Sequence, residues 1–137
     1  PLAVEAAWFA DHALPFVPTG AKLDAIPARG ISLELKPAAE VRLEPPPSRG
    51  PRAEKPMSGI VSFPVSARGT YQVTISADGW VDAVQEGVIA QATSHTGNRE
   101  CVGLRKSVRF NLAQGLVAIH ISGASTPAMR IAIRHLD

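Results

Sequence analysis

A chain of 137 residues with 45% hydrophobic and 19% charged side chains is one domain's worth, able to bury a core without disulfide or metal support and too apolar to be disordered. Its net charge of +2 is too small for a general nucleic-acid binder, and no run approaches the roughly 18 apolar residues needed to span a bilayer, so a soluble protein with no nucleic-acid partner is expected. The single cysteine cannot close an internal disulfide and leaves the compartment open.

In chain order, PLAVEAAWF opens without an initiator methionine, from which removal of an upstream segment and export to the periplasm or medium are expected. Within an otherwise irregular N-terminal segment, only Val4 to Leu14 suits a short helix. ISLELK alternates Ile31, Leu33 and Leu35 against Ser32, Glu34 and Lys36, and EVRLE repeats the alternation with Val41 and Leu43 after a corner at Pro37; both predict strands. Residues 45–56, PPPSRGPRAEKP, hold five of the twelve prolines and predict an exposed, mobile loop outside the core. SGIVSFPV re-enters a strand, and its Pro64 confines it to an edge or a bulge.

In TYQVTIS, Tyr71, Val73 and Ile75 oppose Thr70, Gln72, Thr74 and Ser76, the period of a half-buried strand. WVDAVQEG follows, and the intervening Asp78-Gly79 predicts a tight hairpin turn. VIAQAT makes a shorter strand, and Thr93 to Gly103 reads as a surface loop bent at Gly97, Asn98 and Gly103. LRKSVRFNL puts Leu104, Val108, Phe110 and Leu112 on one face with Lys106 as the intruder. GLVAIHIS buries Val117, Ile119 and Ile121, and AMRIAIRH buries Met129, Ile131 and Ile133. Eight or nine short strands at this spacing predict one domain over residues 1–137, an all-β antiparallel sandwich of jelly-roll type, with Tyr71, Val73, Ile75, Val108, Phe110, Val117, Ile119, Ile121, Ile131 and Ile133 sharing a core.

The order GTYQVTIS, WVDAVQEG, VRFNLAQGLVAIHISG and MRIAI resembles the bacterial pre-peptidase C-terminal domains, over about residues 58–134. Gly69-Thr70-Tyr71, Asp82, Gly87, Leu112, Gly115, Ser122 and Gly123 carry the likeness, whereas Leu116 stands where an aromatic residue usually follows the glycine. The resemblance implies a bacterial exported β-sandwich with a binding or accessory role and no catalysis of its own.

Motifs for catalysis are absent. His12, His95, His120 and His135 never fall two residues apart, as a cupin-type metal strand requires. Neither GxSxG nor GxxxxGK occurs, and Ser122 to Ser125, SGAS, reads as a turn. No catalytic residue, metal ligand or cofactor is therefore assigned; the alternative is a small metal- or thiol-dependent enzyme using His95, Cys101 and His120. The expected function is a binding module whose ligand is a carbohydrate, an anionic group or a partner protein.

Its candidate ligand-binding residues are Trp80, Asp82, Arg99, Arg105 and Arg109. Trp80 could stack on a sugar whose hydroxyls donate to Asp82, although core packing is the commoner use of such a ring. Arg105 and Arg109 alternate around Ser107 and suit a carboxylate or phosphate; the plainer expectation pairs them with Asp82, Glu86 or Glu100 across the sheet. Cys101, among basic neighbours, would have an activated thiol if exposed, yet a small loop anchor is the more ordinary role. His120 alternates with Val117, Ile119 and Ile121 and is expected to face solvent.

Overall fold

The computed structural model of this protein describes residues 3–10, 14–48, 56–97 and 104–136. Its elements are α1 (Ala3–Phe9), β1 (Phe16–Val17), β2 (Ala21–Lys22), β3 (Ile31–Glu34), β4 (Lys36–Pro37), β5 (Met57–Val65), β6 (Gly69–Ile75), β7 (Trp80–Gln85), β8 (Val88–Ile89), β9 (Ala92–Gly97), β10 (Lys106–Leu112), β11 (Gly115–Ala124) and β12 (Ala128–His135). The first sheet runs β1-β3-β12-β6-β10-β9. The second runs β2-β5-β11-β7-β8, with β4 also on β5.

Numbering β3, β5, β6, β7, β8, β10, β11 and β12 as eight consecutive strands, the first sheet takes the first, eighth, third and sixth. The second sheet takes the second, seventh, fourth and fifth. This is the alternation of a jelly roll, so the all-β sandwich read from the strand periods is the fold. Almost every pairing is antiparallel; the exceptions are the two-residue strands β1 and β2, which lie parallel to β3 and β5.

The inner faces follow the two-residue period. Val61, Phe63 and Val65 of β5, Tyr71, Val73 and Ile75 of β6, Val108, Phe110 and Leu112 of β10, Val117, Ile119 and Ile121 of β11 and Ile131 and Ile133 of β12 form one buried cluster. All ten residues expected in the shared core lie in it. Chain reversal beside this core is tight at Gly30: with φ +107° there, a Cβ would meet the Ile131 carbonyl oxygen at 2.6 Å, an approach only glycine permits.

Several local expectations are corrected. Asp78-Gly79 is no hairpin turn, because β6 and β7 lie in different sheets; the chain crosses the sandwich there. EVRLE forms no strand: a short 3-10 turn over Ala38–Glu40 follows Pro37, and residues 41–48 run irregularly outside the core. VIAQAT divides between β8 on β7 and β9 on β10. Thr93 to Gly97 belong to β9, where alternation of small polar residues satisfies an edge ladder although it offers no apolar face to read. Pro64 sits where β5 has β11 on one side only, since β2 reaches just Val61 and Ser62.

The outer face of the first sheet is covered as well. Gln72 and Thr74 of β6 are buried because α1 packs above them, and Phe9 joins Leu104 and Ala132 in a second apolar cluster edged by Trp8 and Leu14. The half-buried reading of β6 therefore fails on its polar face, and Leu104 belongs to this outer cluster instead of the sandwich core. Of the proline-rich stretch 45–56, residues 49–55 lie outside the described residues; Pro45 to Ser48 lie over the second sheet.

Candidate functional site

The outer face of the second sheet is built by β7 and β11. Val81 and Ala83 point into the core, so Trp80, Asp82 and Val84 point out, and antiparallel register sets His120 beside Asp82, Ser122 beside Trp80 and Ala118 beside Val84. Residues 41–48 cross this face and are fastened at Asp82. Ser48 donates its hydroxyl to Asp82 Oδ1 at 2.6 Å and its backbone N–H to Oδ2 at 3.1 Å, and Trp80 Nε1 donates to Asp82 Oδ1 at 3.1 Å and to Ser48 Oγ at 2.7 Å. Asp82 is only 4% exposed; these donors satisfy a carboxylate that burial would otherwise penalise by several kcal/mol.

Between this strap, the β7–β8 turn and the β10–β11 turn lies a cleft of about 550 Å³. Val84, Ala118 and His120 line its floor, and Glu44, Glu86 and Leu116 its sides. His120 is 4% exposed, so the expectation that it faces open solvent is corrected: the strap and the turns bury the outer face that the alternation had left to water. Burial pulls its pKa below the ordinary 6.5, with the neighbouring Asp82 carboxylate opposing. The floor of the cleft is thus a neutral imidazole at neutral pH, able to donate from one nitrogen and accept at the other.

Glu86 holds its place at a cost. Gln85 pairs with Val88, leaving Glu86 and Gly87 as a two-residue turn with φ of 51° and 76°. Left-handed backbone at both positions is the primed turn that suits a twisted hairpin, and it favours Asn, Asp or Gly at the first position. Glutamate there costs about 1–2 kcal/mol relative to a residue free of the Cβ clash. Leu116, 56% exposed, stands at the rim of the same cleft.

The residues singled out from sequence are dispersed. Trp80 is half-buried and lies outside the core; its ring is stacked against His95 at 5.8 Å between centroids, and Lys106 Nζ stands 4.3 Å from its centre. The intruding Lys106 on the inner face of β10 thereby finds a cation–π partner. Trp80 and Asp82 are engaged with each other and with Ser48, beside a smaller hollow that Ile89, Ala92 and Phe110 also line. Arg105 and Arg109 do not converge either. Arg105 Nε lies 3.8 Å from Asp78, Arg109 Nε donates to Gln72 Oε1 at 3.0 Å, and Ser107 between them is buried; Asp82 and Glu86, expected as partners, lie on the other sheet. Arg99, Glu100 and Cys101 fall outside the described residues.

His95 stands on the edge strand of the first sheet and His120 on the outer face of the second, and among the described residues no group of three or more His, Cys, Asp or Glu is arranged to hold a metal. Glu44, Glu86 and Leu116 were not among the ligand-binding candidates read from sequence. The signal available for Glu86 was Glu-Gly in a two-residue gap between strands, where Asn-Gly is the ordinary choice. No helix among the described residues is long and apolar enough to cross a membrane. Comparison with protein-family models, curated proteins and solved structures finds no match to this chain.

Proposed function

We propose that this chain is a non-catalytic, exported binding module that takes a neutral carbohydrate in the cleft on the outer face of the second sheet. The observation that carries the reading is Glu86, a long carboxylate kept in a left-handed turn position at the wall of a cleft. Backbone strain of this kind persists where a side chain is needed in place.

The chemistry of the walls selects among ligand classes. A cleft of about 550 Å³ suits a small organic group, since such sites typically span about 300–1,000 Å³. Glu86 accepts from hydroxyls and repels carboxylates and phosphates, so an anionic ligand is disfavoured beside it, whereas Glu44 accepts from Arg42 Nε at 2.9 Å and adds little net charge to its side of the cleft. Neutral His120 both donates and accepts, while Val84, Ala118 and exposed Leu116 offer apolar surface to the C–H face of a sugar ring. The hydroxyl closest to the acid of this face, Ser48, is committed to Asp82 and not to an imidazole, which supports binding over nucleophilic catalysis. Export and a bacterial origin rest on the resemblance of residues 58–134 to pre-peptidase C-terminal domains.

Isothermal titration of the protein with a panel of neutral, amino and acidic oligosaccharides tests the reading. Binding of a neutral member, weakened at least tenfold by Glu86→Gly, supports it. Failure of every neutral glycan, or affinity indifferent to Glu86, rejects it.

A further inference from the structure

On the opposite side of the molecule, α1 presses Glu5 onto a row of polar side chains. Antiparallel register aligns Arg134 of β12, Gln72 of β6 and Arg109 of β10 across the first sheet. Glu5, fully buried, accepts from Gln72 Nε2 at 2.8 Å and lies 3.3 Å from Arg134 Nε, and Arg109 holds the other end of the Gln72 amide. The carboxylate of Glu5 is thus matched by Arg134, and Arg109 reaches it only through the Gln72 amide.

We infer that α1 is an exchangeable arm, and that the outer face of the first sheet also receives the α1 of a second copy, giving a symmetric arm-exchanged dimer. The inference is independent of the cleft. Three observations carry it. First, α1 has seven residues, too few to hold a helix unaided, and among the described residues its apolar docking involves Phe9, Leu104 and Ala132 with Trp8 and Leu14 at the margin, apart from the sandwich core. Second, the polar part of the docking is selective and weakly held. Glu5 Oε1 and Thr74 Oγ1 are buried without a hydrogen-bond partner, and a buried ion pair contributes little net stability while penalising any mismatch.

Third, the receptor is independent of its occupant. β12, β6 and β10 are central strands whose inner faces form the core, so the row Arg134-Gln72-Arg109 persists when α1 lifts. A departing arm leaves that row and Leu104 open, and the ligand of matching shape and charge is another α1. Exchange restores the described contacts of α1 with the sheet, those of Glu5 with Gln72 and Arg134 and of Phe9 with Leu104 and Ala132. Phe16, 63% exposed at the start of β1, supplies apolar surface for a second copy to cover.

The test uses two full-length variants with reversed charges, Glu5→Arg and Arg134→Glu. Each alone mismatches its own arm and face, whereas a mixture pairs Arg at position 5 with Glu at position 134 across copies and leaves the reciprocal contact native. Light scattering after size exclusion is expected to give monomers for each variant alone and twice the monomer mass for the mixture co-refolded from denaturant. A mixture that stays monomeric, with both variants folded by circular dichroism, overturns the inference. If either variant fails to fold, the native chain decides: differently isotope-labelled copies, co-refolded at the highest attainable concentration, are expected to show intermolecular contacts between Phe9 and Leu104. Their absence overturns the inference equally.

Discussion

Ser48 grips both oxygens of Asp82, one through its hydroxyl at 2.6 Å and the other through its backbone N–H at 3.1 Å. This clasp, with the indole of Trp80 as a further donor, fixes residues 41–48 over the second sheet and so makes one wall of the cleft. Asp82→Ala leaves those donors without their acceptor and is expected to lower unfolding stability by about 1–3 kcal/mol, read by urea denaturation. It should also expose residues 41–48 to limited proteolysis, while Ser48→Ala, which keeps the backbone bond, costs about 1 kcal/mol.

Glu86 sets function against stability. Because φ is 51°, Glu86→Gly relieves a strain of about 1–2 kcal/mol against a smaller entropic loss of about 0.5–1 kcal/mol. The variant is expected to unfold at a higher urea midpoint than the native chain while binding glycan less well. A variant of lower stability would mean that the carboxylate contributes to the fold.

His120 makes stability depend on pH in a defined direction. Its folded pKa lies below the ordinary value of 6.5, so on descending through 6.5 the unfolded chain takes up a proton that the folded chain refuses. Stability from this group is therefore complete above about 6.5 and is lost as pH falls toward the folded value. Melting temperatures measured on both sides of that point should decline on the acid side, and His120→Gln should flatten the decline. An unchanged slope in the variant would place the pH dependence elsewhere.

The sequence periods made the inner faces legible because an inward apolar position has one partner class, the opposing sheet. They failed wherever a second layer covers an outer face. Gln72 and Thr74 look solvated until α1 is placed above them, and His120 looks solvated until residues 41–48 are fastened at Ser48. A signal for the first was present: Glu5 and Phe9 share one face of α1 at i, i+4, an acid within an apolar stripe. The Asp78-Gly79 dipeptide suits a hairpin as well as a crossing between sheets, and only long-range pairing decides. The cleft was hidden for a similar reason, since Glu44 of the strap, Glu86 of the β7–β8 turn and Leu116 at the start of β11 are separate in sequence and brought together by the jelly-roll topology.

The arginines should divide by partner. Replacing Arg105 and Arg109 together with glutamine removes an exposed pairing with Asp78 and a bond to a neutral amide; a loss of about 1 kcal/mol or less is expected, with glycan affinity unchanged. Arg134→Gln is expected to cost more, because it leaves the buried Glu5 carboxylate without its counter-charge. Hydrogen exchange across Val4 to Phe9 should accelerate in that variant and match the native chain in the double one. Equal effects of the two would remove the distinction.

The cleft over Val84, Ala118 and His120 is the proposed meeting place of this protein and its ligand. Amide and imidazole NMR shifts followed during titration with the neutral glycan that binds best test it most directly. Shifts are expected to concentrate at Glu44, Val84, Glu86, Leu116, Ala118 and His120, with Arg105, Arg109 and Arg134 on the other sheet unmoved. Shifts confined to the arginine face, or none at saturating glycan, would contradict it.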